Sequence, residues 1–158
     1  MRLFSTALII ILIVVIVFGL LYLLYPKALK NGNVKVKIGF KEWRVDVANN
    51  DWSRARGLSG RKVLGDSEGM LFIFDKPKVQ KFWMKGMNFP LDIIWINGSK
   101  VVGVSENLPL APLMDLKLYS SNEPVNLVLE INAGSAKKWN IVSGSEVFIY
   151  EGDKLVLY

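Results

Sequence analysis

The sequence of 158 residues contains no cysteine and no histidine. Without cysteine there is no disulfide, so cysteine usage says nothing about redox compartment. Without imidazole or thiolate, Ser-His-Asp and Cys-His catalysis are excluded. So is every zinc site built on Cys or His ligands. No G-x-G-x-x-G fingerprint, Walker A loop, G-x-S-x-G elbow or EF-hand loop occurs either, which leaves a nucleotide enzyme or a serine hydrolase without support. Thioethers could still select copper, and Met70, Met84 and Met87 lie near Trp83. Scattered methionines fill gaps in cores, however, and no dense methionine repeat is present.

Charge is unevenly spread. The formal net charge is +6, yet from Val45 onward thirteen Lys/Arg face thirteen Asp/Glu. The excess sits upstream, in Lys27, Lys30, Lys35, Lys37, Lys41 and Arg44 against Glu42. A neutral globular part does not present the basic face that nucleic acid requires. The upstream lysines fit a solvated edge strand, or attraction of Lys27 and Lys30 to anionic lipid headgroups.

A long apolar run is present. Residues 3–25, LFSTALIIILIVVIVFGLLYLLY, carry no charge, and about 20 apolar residues span a bilayer core. A cleaved signal peptide would have a shorter apolar region and a small-x-small cleavage site. The run therefore predicts an uncleaved, single-pass anchor over 1–26, a linker over 27–33 and one β domain over 34–158. The lysines just after the run argue for a cytoplasmic domain.

Along the domain the apolar period is mostly two, which signals strands. VKVKI and FKEWRVDV alternate, with Trp43, Val45 and Val47 on one side. In NNDWSRARG, Asp51 or Ser53 can cap a short helix that Gly57 ends. EGMLFIF is a buried strand and DKPK a turn. KFWMK and PLDIIWI are strands, and Asn97-Gly98 predicts a hairpin into SKVVGVSE. Asn97-Gly98-Ser99 also fits the N-glycosylation pattern. Residues 107–124 read as a long loop, VNLVLEIN as a strand, AGSAKKWN as a short helix, and EVFIY with KLVLY as a closing hairpin. The expected fold is all-β, a mostly antiparallel sandwich or barrel with two short helices, plus one N-terminal transmembrane helix.

Four segments in this order, RARGLSGR (54–61), EGMLFIF (68–74), FWMKGMNFPLDIIWI (82–96) and LEINAGSAKKWNI (129–141), resemble the DUF192 family, also called UPF0127. The resemblance implies a compact β domain and no particular reaction. It also implies export or an N-terminal apolar anchor, which sets the expectation for the domain on the extracytoplasmic side. The chain departs from the common family pattern at Ser59, where Met is usual, and at Gly86-Met87, where Asn-Thr is usual.

Charges embedded in apolar segments are the candidate site. Alternation puts Asp92, Ile94 and Ile96 on one face of their strand, with Leu91, Ile93 and Trp95 on the other. Glu130 shares a face with Val128. Asp92, Glu106 and Glu130 are the candidate carboxylates; Arg56, Arg61 and Lys85 are the cations, with Trp83 beside them. A buried Asp92 predicts an Arg or Lys within about 4 Å. The favoured function is a non-enzymatic binding module for a small polar ligand, glycan or envelope protein, lined by these seven residues and needing no metal or cofactor. The alternatives are a carboxylate-dependent hydrolase, which needs two carboxyls about 5–9 Å apart across a cleft, and a purely structural or assembly role.

Overall fold

The computed structural model describes residues 12–17, 33–111 and 117–156. Residues 12–17 form a helical stretch, α1. The domain then runs β1 (Val34–Ile38), β2 (Lys41–Ala48), α2 (Asp51–Arg56), β3 (Glu68–Lys78), β4 (Lys81–Trp83), β5 (Leu91–Asn97), β6 (Lys100–Leu108), β7 (Leu118–Ser120), β8 (Val125–Asn132), α3 (Ser135–Lys138), β9 (Val147–Glu151) and β10 (Lys154–Val156).

Eight strands form one sheet in the order β10-β9-β1-β2-β3-β8-β5-β6, and β4 pairs with β7 separately. Every pairing is antiparallel except β2 with β3. A parallel pair needs a crossover longer than a hairpin; here α2 and the loop that follows supply it. At the middle, β5 is buried from Leu91 to Ile96 and β8 is buried over most of its length. Strands covered on both faces read as continuous apolar runs. One face carries Trp43, Val45, Ile94, Ile96, Leu129 and Ile131. The other carries Phe72, Met84, Leu91, Ile93, Trp95 and Val128. The alternation read from LDIIWI is thus the observed one.

Two parts of the expected fold are corrected. The sheet is open rather than a closed barrel or a two-sheet sandwich. It coils until residues before β9 meet the start of β6, through the Lys100–Glu146 bridge and the Val101 N–H to Ser145 carbonyl bond of 2.9 Å, but β10 and β6 remain its edges. The transmembrane helix is also overturned: among the described residues no helix is long and apolar enough to cross a membrane. The remainder of 3–25, Lys27, Lys30 and linker residues 27–32 lie outside the described residues.

Smaller differences have local causes. DKPK is not a turn but the end of β3, and the pairing with β8 shifts register between Ile73 and Lys78, where Pro77 is accommodated. Part of the long loop forms β7, which pairs Leu118 to Ser120 with β4.

Candidate functional site

The segment between β2 and β3 builds the site. Asn50, one residue ahead of the expected cap, accepts the Ser53 N–H at 2.9 Å on its side chain. Its own N–H donates to Ser53 Oγ at 3.2 Å, closing a capping box. The helix stops at Gly57, whose φ of 52° and ψ of −139° lie where side chains are strained. The chain then turns through Leu58 to Arg61. Two bonds tie this turn to residues 84–88: Gly60 N–H to the Gly86 carbonyl at 2.9 Å, and Asn88 Nδ2 to the Arg61 carbonyl at 2.9 Å.

A groove of about 410 Å³ opens between α2, this turn and β2. Trp52, Ser53, Arg56, Ser59, Arg61 and Met70 are among its walls. The two arginines have different duties. Arg61 Nη1 reaches Asp46 at 2.9 Å, Nη2 reaches Glu68 at 2.7 Å, and Nε donates to the Val63 carbonyl at 3.0 Å. It is a strut whose charge two carboxylates balance. Arg56 lies 5.4 Å from the Trp52 ring and forms no ion pair among the described residues. Trp52 is 70% exposed. The groove therefore offers a cation on an aromatic platform with the Ser59 hydroxyl nearby, the Ser53 hydroxyl being committed to the capping box.

Beneath this wall lies Glu130. Pairing of β8 sets it opposite Met70 and Ile93, on the face that carries Phe72. It is only 5% exposed. Burial pushes its carboxyl from an ordinary 4.5 up to about 8. Its Oε2 has no hydrogen-bond partner. A methyl group placed on Gly57 would stand 4.0 Å from that oxygen and 3.4 Å from the Phe72 ring, so the groove wall at Gly57 directly overlies the acid.

Asp92 is equally buried and quite different. Its two oxygens accept the Asn107 N–H at 2.7 Å and the Ala136 N–H at 2.8 Å. These bonds hold Asn107 in its left-handed conformation, φ 53°, and fix the first turn of α3. The Arg or Lys partner expected for Asp92 is replaced by backbone amides.

The seven sequence candidates thus do not form one site. Arg56 and Arg61 share the groove, and Glu130 lies under it. Asp92 pairs with Ile131 on the opposite face of the sheet from Glu130. Trp83 is exposed on β4; Lys85 and Glu106 are also exposed, and neither makes an ion pair among the described residues. Asp92 and Glu130 lie on opposite faces of the sheet, and none of Asp92, Glu106 and Glu130 lines the α2 groove. Among the methionines, Met84 is core, while Met70 reaches the groove.

Trp52 and Ser59 are absent from the sequence candidates. Trp52 was legible, because it stands four residues before Arg56, the spacing that stacks side chains on a helix. Ser59 and Gly86, the two departures from the family pattern, meet in space. A Cβ on Gly86, whose φ is 71°, would collide with Ser59 Oγ.

Comparison with known proteins places these features. The family model DUF192, described as "Uncharacterized ACR", matches residues 33–149. A protein of unknown function from Novosphingobium aromaticivorans DSM 12444 is 33% identical over 72% of this chain and 81% of its own, with a TM-score of 0.65. A proposed transcription regulator from Sinorhizobium meliloti 1021 is 26% identical over 76% of this chain and 96% of its own, with a TM-score of 0.68. No curated protein matches.

Proposed function

We propose that this chain, which belongs to the DUF192 family, is a binding module that holds a small polar ligand in the α2 groove without transforming it. The observation that carries this reading is the groove itself: concave, polar at Ser59, with Arg56, which forms no ion pair among the described residues, beside the exposed Trp52 ring. Ligand sites combine an apolar platform with a few convergent polar groups in this way. A saccharide suits the pair best, because its ring can lie on an indole while its hydroxyls or a carboxylate meet a guanidinium. The regulator assignment of the Sinorhizobium relative does not transfer easily. From Val45 onward the acids and bases balance, and non-specific nucleic-acid affinity rests on net phosphate neutralisation.

The test is a thermal-shift screen of neutral and acidic mono- and oligosaccharides on the full chain. A ligand that binds the folded state raises the midpoint with concentration. The shift should vanish in Trp52→Ala and in Arg56→Ala, both exposed changes that leave the unliganded midpoint nearly unaltered. If every hit shifts those variants as much as the wild type, the groove is not the site.

A further inference from the structure

At another place on the fold, two lysines converge on one tryptophan. The start of β2 delivers Lys41, the segment before β3 delivers Asp66 and Ser67, and the end of β8 with α3 and the residue after it delivers Asn132, Ser135, Lys138 and Trp139. Together they enclose a hollow of about 400 Å³ that shares no residue with the α2 groove. Lys41 Nζ lies 5.3 Å from the Trp139 ring centre and 5.7 Å from that of Trp43. Lys138 Nζ lies 5.4 Å from the Trp139 ring centre. Lys41 is further held by a 2.5 Å bond to Ser67 Oγ.

Neither ammonium has a carboxylate within ion-pair distance among the described residues. Asp66 borders the hollow without bridging to either. Two like charges around one ring repel, and the cation–π attraction of each at such a site is only about 0.5–1 kcal/mol. Lys41 is held by Ser67 and Lys138 stands on the four-residue helix α3, so two cations border the hollow against a single carboxylate on its walls, Asp66.

We infer that this hollow is an oxyanion site, taking a phosphate- or sulfate-type group of a small solute or of a lipid headgroup between Lys41 and Lys138. An oxyanion there would accept from both ammonium groups, replacing their repulsion with charge-assisted hydrogen bonds. The hydroxyls of Ser67 and Ser135 lie on the same walls. Trp139 is the natural reporter, since both cations sit on its ring.

The experiment titrates the full chain with inorganic phosphate, sulfate and glycerol phosphate at constant ionic strength, using chloride as the control, and reads tryptophan fluorescence and thermal midpoint. The expected result is a saturable change with a Kd of about 1 mM or tighter. Lys41→Gln and Lys138→Gln should each weaken it about tenfold, as loss of a charge-assisted bond would. Lys137→Gln, on the same helix but off the hollow, should leave it unchanged. Trp139→Phe should remove the optical signal while keeping the thermal shift. A parallel arm uses vesicles with and without phosphatidylglycerol. Lysine-dependent binding to anionic vesicles alone would identify a headgroup as the source, and binding of the soluble anions a free solute. A linear response matching chloride in both arms overturns the inference, as does equal weakening by Lys137→Gln.

Discussion

Glu130 makes a quantitative prediction because its surroundings contain burial and nothing to offset it. In the unfolded chain the carboxyl ionises near 4.5; in the fold it holds its proton until about 8. Below pH 4.5 the group is neutral in both states and does not affect folding. Above that, the unfolded chain releases a proton that the folded one keeps, so stability falls as pH rises. The slope is about 1.4 kcal/mol per pH unit, and the loss levels off once the folded acid also ionises, above about 8. Over that window the ceiling is about 5 kcal/mol, a large share of the roughly 5–15 kcal/mol that holds a domain together. Glu130→Gln removes the ionisation while keeping the shape. Urea unfolding of both proteins from pH 4.5 to pH 9 should show the variant gaining on the wild type through the interval, then a constant gap. Any offset at pH 4.5 measures the amide itself and is subtracted. A gap that stays flat across the whole range would mean that the acid ionises alike in both states, so that water or a donor reaches Oε2, and the reasoning from burial would be wrong.

Three further outcomes follow from the geometry. Asp92→Asn should destabilise by about 3 kcal/mol by urea unfolding, because one of the amides of Asn107 and Ala136 then faces an N–H rather than an oxygen; a loss below about 1 kcal/mol would show that those bonds are not needed. Gly86→Ala should lose about 2 kcal/mol from its left-handed φ and the clash with Ser59, and adding Ser59→Gly should restore part of that loss; strict additivity of the two changes would refute the contact. Asn50→Ala should lose about 1 kcal/mol of stability by opening the capping box of α2, read as an earlier melting midpoint.

Local pattern carried far in this chain. The alternation of LDIIWI assigned each side chain of β5 to its face, and VNLVLEIN coincides with β8 from Val125 to Asn132. Asn97-Gly98 marks the β5–β6 hairpin, with Gly98 at φ 57°. What pattern does not encode is which strands become neighbours. Nothing in FKEWRVDV or EGMLFIF announces a parallel pair, since period two is the same in either direction. The misreading of DKPK has the same origin. Proline and charge suggest a turn, but β3 has an irregular stretch against β8 where proline is tolerated. For the site, sequence marked Asp92 and Glu130 as charges among apolar residues. It could not show that the partners of Asp92 are amides 15 and 44 residues away, or that the turn overlying Glu130 comes from the chain before β3.

Asp92 and Glu130 together separate architecture from candidate function. Both are carboxylates on central strands, both are shielded from water, and neither is met by a cation. Asp92 is placed so that each oxygen meets a backbone N–H, and those bonds close a strand end and a helix end. Removing it would leave donors stranded, which is the mark of a residue the fold itself requires. Glu130 closes nothing. Its Oε2 has no hydrogen-bond partner, and it pairs across the strands with Met70 and Ile93, close to Phe72 and Gly57. A buried ionisable group that packing does not need is a stability burden, and such burdens concentrate at functional sites. Glu130 lies under the wall of the groove where Arg56, without an ion pair among the described residues, stands on Trp52, so the two ionisable groups lie on either side of the chain at Gly57. That coincidence supports the α2 groove, rather than the exposed Lys85 and Glu106, as the proposed binding site.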